Sequence, residues 1–275
     1  MDVFEIYFPK GQLANSVVSI VYYEGYDVSH RMERYIPDGT LSIVIELGGF
    51  PQYTYDNVSL KQDKKCVNAW VSGMQSEFIT FGCTQISAMM VIQFKPTGAY
   101  PILRIPIHEL NDSCVDADLI FGDEIKLLRD QIMNARMVAS KINIAEKWLM
   151  KRLIKTDSIP ESVVQFAVEE TLLNPSKTNM KVMAEKTGYS QQHFINIFKK
   201  YVGFSPKQYQ RIVRFNQILK KIEADQVVDW SSLSFNAGFY DQAHFIKEFK
   251  KFSGLNPEKY LKEKGEFLNY VPVQV

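Results

Sequence analysis

Little in this chain points to chemistry on a small substrate. Its 275 residues hold three cysteines, four histidines and a formal net charge of only +1. Cys66, Cys83 and Cys114 are scattered without CxxC spacing. So sparse and odd a set excludes a disulfide framework and fits reduced thiols in a cytosol. Of the histidines, only His30 and His108 fall in the first half, and neither forms an HxH pair. Several histidines or carboxylates converging from strands are needed for a cupin-type centre, so neither a metal nor a cofactor is expected. A Gly-rich phosphate loop and a Ser-His-Asp cue are both missing. No stretch approaches the roughly 20 apolar residues of a membrane span. The opening MDVFEIYFPKGQ lacks the basic start and long apolar run of a signal peptide. These absences predict a cytoplasmic protein that does not engage a membrane.

The small net charge hides an asymmetry. Residues 176–275 hold 16 Lys and Arg against 9 Asp and Glu, a net of +7. Residues 1–175 hold 16 against 22, a net of −6. An attractive field for phosphates therefore lies on the last hundred residues.

Those residues contain one motif written twice. Met183 to Tyr209 reads MAEKTGYSQQHFINIFKKYVGFSPKQY, and Leu233 to Tyr260 reads LSFNAGFYDQAHFIKEFKKFSGLNPEKY. Gly188 matches Gly238 and Tyr189 matches Phe239. After one inserted residue, Phe194, Phe198, Lys199, Lys200, Gly203, Pro206 and Tyr209 match Phe245, Phe249, Lys250, Lys251, Gly254, Pro257 and Tyr260. Two copies of one supersecondary unit present two similar surfaces at a fixed spacing.

Each copy reads as helix, tight turn, helix. Asn179 caps a short helix through Met180, Val182, Met183 and Ala184, and Gly188 closes it in the left-handed backbone that glycine accepts. Ser190 then caps a second helix, with Phe194, Ile197, Phe198 and Tyr201 on a core-facing stripe. In the second copy Asp241 is the cap, and Phe245, Phe249 and Phe252 form the stripe. Ser205-Pro206 starts a long connecting helix carrying Ile212, Phe215, Leu219 and Ile222, a rigid spacer between the two units. The ligand suited to two such units is duplex DNA, whose successive major-groove entries lie roughly 34 Å apart.

The residues off the core stripes suit base reading. Gln and Asn pair with adenine N6 and N7, and Lys donates to guanine O6 and N7. Lys199, Lys200, Lys250 and Lys251 sit late in their helices, placed for phosphates. The helix starts at Ser190 and Asp241 add free N–H groups for phosphate oxygens.

Ala237 to Leu261, AGFYDQAHFIKEFKKFSGLNPEKYL, closely resembles the second helix-turn-helix signature of the AraC-type (AraC/XylS) transcriptional regulators, and Met180 to Tyr209 resembles the first. The resemblance covers about residues 158–263. It implies a seven-helix DNA-binding domain with two recognition helices in adjacent major grooves. By position, the base-facing candidates are Gln191, Gln192, Ile195 and Asn196, then Gln242, Ala243, His244 and Lys247. An arginine often stands in that family where this chain has Asn196 and Lys247, and Ala243 is too short for a hydrogen bond. Both departures reduce the base-specific contacts.

The first half is β-rich. SVVSIVYYEGY, TLSIVIELGG, NAWVSGM, EFITFG and SAMMVIQFKP are separated by Pro37-Asp38-Gly39, Gly48-Gly49, Gly73, Gly82 and Pro96. Short strands so spaced predict a sandwich or barrel. Two helices follow. Phe121-Gly122-Asp123 opens one carrying Ile125, Leu128, Ile132 and Ala135, and another over about 141–155 carries Ile142, Ala145, Leu149 and Leu153. Pro160 starts the next domain, with Val164, Ala167, Val168 and Leu172 as its stripe. The expected fold class is α+β: a β-rich domain over 1–156, an all-α domain over 158–263, a tail over 264–275, and a boundary near Thr156 to Ile159. Pro37-Asp38-Gly39, the strand before Gly48-Gly49, Trp70 to Gly73 and Phe94 to Tyr100 resemble the β-rich sensor domains of AraC-type regulators. That likeness implies trailing helices that mediate homodimerisation. Their apolar faces serve either that contact or packing on the sheet.

Tyr22, Tyr35, Trp70, Phe81 and Phe94 are candidate lining for a small-molecule pocket, with Arg104 a candidate anion ligand. Ordinary core is the other role open to these aromatics. The leading reading is a sequence-specific regulator, an activator that contacts RNA polymerase, controlled by an effector at its first domain. A repair-type thiol enzyme on Cys66, Cys83 or Cys114 needs a cationic neighbour or base to activate the sulfur, and no Cys-His pair stands at motif spacing. The chain is therefore expected not to be an enzyme. Gating by a protein partner is the third alternative.

Overall fold

The computed structural model describes residues 3–25, 30–83, 87–154, 159–224 and 228–274. Its first part is built from two antiparallel sheets. In the larger, β1 (Val3–Tyr7), β2 (Val17–Glu24), β9 (Ala88–Phe94), β4 (Leu41–Glu46), β7 (Ala69–Ser72) and β10 (Cys114–Asp116) lie in that order. The smaller runs β11 (Tyr270–Pro272), β3 (Met32–Tyr35), β8 (Ile79–Gly82), β5 (Gln52–Tyr55) and β6 (Gln62–Cys66). Among the described residues neither sheet closes on itself. The arrangement is thus sandwich-like with open edges rather than a barrel.

Strand alternation separates two apolar zones. On one face of the larger sheet, Ile20, Tyr22, Ile43, Ile45, Val71, Ile92 and Phe94 join the main core. Trp70 and Met89 instead belong to a small separate cluster with Cys66 and Cys114, packed by Tyr23, Val44 and Ile79.

Two short helices, α1 (Tyr100–Leu103) and α2 (Asp118–Phe121), precede α3 (Asp123–Asn134) and α4 (Val138–Arg152). Gly122, at φ 61°, turns the chain between α2 and α3. Ile125, Leu128 and Ile132 of α3 and Ile142, Ala145 and Leu149 of α4 are buried in the main core. These helices therefore cover a sheet face with the stripes that their sequence marks.

The second part contains α5 (Ile159–Leu173), α6 (Met180–Thr187), α7 (Gln191–Val202), α8 (Pro206–Ala224), α9 (Trp230–Asn236), α10 (Gln242–Ser253) and α11 (Pro257–Glu263). Of the expected boundary at Thr156 to Ile159, only Ile159 is among the described residues. In α5 the buried stripe is Val164, Ala167, Val168 and Thr171, while Leu172 is exposed. The seven-residue step from Val164 lands on Thr171, not Leu172, and the threonine hydroxyl meets its hydrogen-bonding need by donating to the Ala167 carbonyl at 2.7 Å. In α8, Ile212, Phe215, Leu219 and Ile222 are all buried.

The two parts share one continuous apolar core. The segment after α11 crosses back to the first part. There β11 pairs with β3, setting Tyr270 opposite Tyr35 and Val271 opposite Arg34. Val271 is fully buried. Asn269 donates to the Ile36 carbonyl and to Asn216 Oδ1, both at 3.0 Å, and Asn216 donates to the Pro37 carbonyl at 2.7 Å. Residues 264–275, expected as a simple tail, supply an edge strand of the smaller sheet.

Candidate nucleic-acid interface

The two recognition elements form as their caps dictate. Asn179 accepts from the backbone N–H of Lys181 and Val182, starting α6, and Gly188 ends it at φ 73°. Ser190 Oγ accepts from His193 N at 3.3 Å, starting α7. Asp241 Oδ1 accepts from His244 N at 2.7 Å, starting α10. A lost cap costs about 1 kcal/mol of helix stability. Both cap side chains are spent on their own helices, so any phosphate contact at Ser190 or Asp241 falls to the neighbouring backbone N–H groups.

On α7, Phe194, Ile197, Phe198 and Tyr201 are buried, while Gln191, Gln192, Asn196 and Lys199 are exposed and Ile195 is half-buried. Gln192 Nε2 donates to Asn196 Oδ1 at 3.1 Å, so these two carboxamides stand side by side. On α10, Phe245, Phe249 and Phe252 are buried, and Gln242, Ala243, His244 and Lys247 are exposed.

One residue of α10 escapes the sequence reading. Glu248 is buried and lies on the core side of the helix. Its carboxylate meets Arg214 at 2.9 Å and Arg211 at 3.1 Å, both from α8, and His244 Nε2 at 3.7 Å. Arg214 also stacks 4.2 Å from the Phe239 ring centre. This knot ties the second recognition helix to the connecting helix. Its signal in the sequence is position: Glu248 falls three residues after Phe245, in line with the apolar stripe.

Two of the lysines assigned to phosphate point elsewhere. Lys200 lies 4.9 Å from the Tyr100 ring centre, and its hydrogen bond with that tyrosine raises its pKa above the ordinary lysine value. Lys251 Nζ is 3.5 Å from Glu77 Oε1. Both partners belong to the first part of the chain. Lys200 and Lys251 occupy matching places in the repeat, and so do Gly203 and Gly254, which sit in the same junction. At φ +106° and with a Cβ position only 2.7 Å from Asn111 Oδ1, Gly203 has no room for a side chain. Gly254, at φ +74°, packs with its Cβ position 2.7 Å from the Phe78 ring. Each copy thus docks on the first domain through equivalent residues; all four lysines are exposed, and Lys200 and Lys251 are the two that reach that domain.

The expected aromatic pocket does not assemble. Tyr22 and Phe94 are in the main core, and Trp70 is in the separate cluster with Cys66 and Cys114. Tyr35 and Phe81 pack instead on Tyr270 of β11, with ring centres 5.3 and 6.2 Å away. Arg104 is exposed and donates to the Arg152 carbonyl at 2.9 Å. Strand alternation separates Trp70 from Tyr22 and Phe94, while Tyr35 and Phe81 belong to the other sheet, which their order along the chain conceals. A cleft of about 270 Å³ lies elsewhere, between β1 and α4, lined by Ile6, Tyr7, Val138, Ile142, Asn143 and Glu146 among others. Tyr7 donates to Glu146 across it at 3.0 Å.

The three thiols sit in different surroundings. Cys66 and Cys114 are buried; the hydrogen bond between them, together with burial, pushes the Cys66 thiol up, while the same hydrogen bond holds Cys114 below the ordinary thiol value. Burial and the adjacent Glu33 push the Cys83 thiol up as well. No helix among the described residues is long and apolar enough to cross a membrane.

Known proteins share these features. Residues 183–263 match a helix-turn-helix domain family, and residues 5–116 match a domain of unknown function, DUF6597. An uncharacterized HTH-type transcriptional regulator of Haemophilus influenzae is 25% identical over 132 residues, 44% of this chain and 43% of that protein. The chain thus spans under half the length of that relative. The multiple antibiotic resistance protein MarA of Salmonella typhimurium is 29% identical over 106 residues, 38% of this chain and 80% of MarA. The HTH-type transcriptional activator AarP of Providencia stuartii is 28% identical over 95 residues, 34% of this chain and 67% of AarP. A crystal structure of ToxT from Vibrio cholerae is 11% identical, with a TM-score of 0.46 over 88% of this chain and 98% of that one. With its duplicated, capped helix-turn-helix units behind a β-rich domain, the chain is similar in its second part to helix-turn-helix transcriptional regulators.

Proposed function

We propose that this regulator is an activator that reads two adjacent major grooves through α7 and α10. The observation that carries the reading is the matched pair of exposed polar faces, Gln191, Gln192 and Asn196 on one helix and Gln242, His244 and Lys247 on the other, each backed by a buried aromatic stripe. The connecting helix α8 has 19 residues, so it is about 28 Å long, close to the spacing of successive groove entries. The knot at Glu248 holds the second reader on that connector. Exposed Lys199 and Lys250 supply the phosphate contacts.

Activation, and with it contact with RNA polymerase, is suggested by the name of the AarP relative. The first domain controls the DNA-binding part through the junction at Tyr100, Glu77, Asn111 and Phe78. The candidate effector site is the cleft between β1 and α4. Leu127, Met133 and Met137 at the outer side of α3 and its following turn are exposed and form the candidate homodimer face. The absence of a Cys-His pair at motif spacing favours a regulator over a thiol enzyme, and a cytoplasmic location fits the DNA target.

Selection of bound genomic fragments, followed by footprinting, tests this reading. It expects salt-sensitive protection of two half-sites about one helical turn apart. Equal affinity for all fragments would overturn it.

A further inference from the structure

The pairing of β3 with β8 brings Cys83 to two donor side chains that lie far earlier in the sequence, His30 and Glu33. His30 precedes β3, Glu33 lies within it, and Cys83 follows β8. The antiparallel register sets Met32 opposite Gly82 and Glu33 opposite Phe81, and the Cys83 N–H donates to the Arg31 carbonyl at 2.8 Å. His30 Nε2 and Glu33 Oε1 are 2.7 Å apart. One donor atom from each of His30, Glu33 and Cys83 lies within 4.8 Å of the others. Glu33 is 6% exposed, and His30 and Cys83 are half-buried.

We propose that His30, Glu33 and Cys83 form a binding site for one divalent transition-metal cation of the zinc class, with a water completing the fourth position.

The donor set selects the ion. A thiolate sulfur disfavours magnesium and calcium, which take oxygen ligands, while imidazole nitrogen, carboxylate oxygen and thiolate together suit zinc. Bonds of about 2.0–2.3 Å to a tetrahedral ion hold its ligands roughly 3.3–3.8 Å apart. The three donors lie within 4.8 Å of one another, so modest side-chain adjustment brings them to that separation. The His30–Glu33 contact must open by somewhat less than an ångström, which side-chain rotation supplies while strand pairing fixes the backbone. Among the described residues, the ion-pair partner of the buried Glu33 carboxylate is the single imidazole of His30. A dication bound by one thiolate and one carboxylate gives a neutral centre. On binding, the Cys83 S–H bond breaks, the sulfur–metal bond forms, and the proton passes to solvent.

This site stands apart from the DNA-reading helices. It clamps β3 to β8, and β3 also carries β11. Cation binding therefore reinforces the sheet that the C-terminal segment joins, and ties the stability of that junction to metal supply.

The test is cobalt titration of the metal-free full-length chain under reducing conditions. One equivalent of Co²⁺ should produce a thiolate-to-cobalt charge-transfer absorption that Zn²⁺ displaces, and zinc should raise the melting temperature. Cys83→Ser should abolish the band. His30→Gln, a milder change at a half-buried position, should weaken cobalt binding by more than about a hundredfold while circular dichroism stays unchanged. A wild-type protein without the band overturns the proposal. So does a band whose midpoint is the same in His30→Gln, or one that persists in Cys83→Ser.

Discussion

The Lys200 ammonium lies over the ring of Tyr100, 4.9 Å from its centre, so a lysine of α7 is held by the other domain. Lys251, its counterpart in the repeat, makes an ion pair with Glu77 of that same domain. The lysine pairs therefore divide their labour. Lys199→Ala and Lys250→Ala should weaken binding to all sequences and each reduce the slope of log K against log salt by about 1. Lys200→Ala and Lys251→Ala should leave that slope unchanged and cost no more than about 1 kcal/mol of stability. Fluorescence anisotropy over a salt series and urea denaturation distinguish the two classes.

Glu248 is a buried carboxylate facing two arginines. Removing it leaves Arg211 and Arg214 without their anion. Glu248→Ala should destabilise the chain by about 3 kcal/mol or more, and at temperatures where it stays folded it should loosen protection at one half-site before the other. Denaturation curves and footprints of the same preparation check both effects.

Val271 is fully buried where β11 joins β3. Val271→Asp places a charge there and should cost about 3 kcal/mol or more. Because β11 links the two parts, calorimetry should show one cooperative transition in the wild type and two separated transitions in the variant. A single unshifted transition in the variant would contradict this role.

Tyr209 and Tyr260 are almost completely buried, and burial raises both hydroxyls above the ordinary tyrosine pKa, with Asp38 adding to the first and Glu223 to the second. In the unfolded chain both titrate near pH 10. Above that pH the unfolded state loses protons that the folded state keeps, so the stabilisation, fully present below about pH 10, is lost as pH rises toward the folded values. The denaturation midpoint should fall through pH 10–11, and Tyr209→Phe should fall less steeply than the wild type.

The helical half is legible because its signals are local. Caps at Asn179, Ser190 and Asp241, glycine at 188 and the aromatic stripes each depend on residues within a turn or two. Leu172 shows the limit: a one-residue slip in the assumed stripe puts an exposed leucine in place of Thr171. Among strands, β2, β4, β7, β8 and β9 announce themselves through runs of Val, Ile, Met and Trp. β6, written QDKKC, and β11, close to the chain's end, do not, because they are defined by their partners. The same holds for sites. The roles of Lys200, Lys251 and the gathered His30, Glu33 and Cys83 depend on long-range packing. The aromatic pocket candidates are dispersed for the same reason: which sheet and which face each one occupies is set by strand pairing.

The most direct measurement is a comparison of footprints on a selected high-affinity fragment by the wild type, Gln192→Ala and Lys247→Ala. Two readers in adjacent grooves predict two protected half-sites about one helical turn apart, with each variant losing base preference in a different half. A single continuous half-site, or both variants relaxing the same bases, would contradict the account.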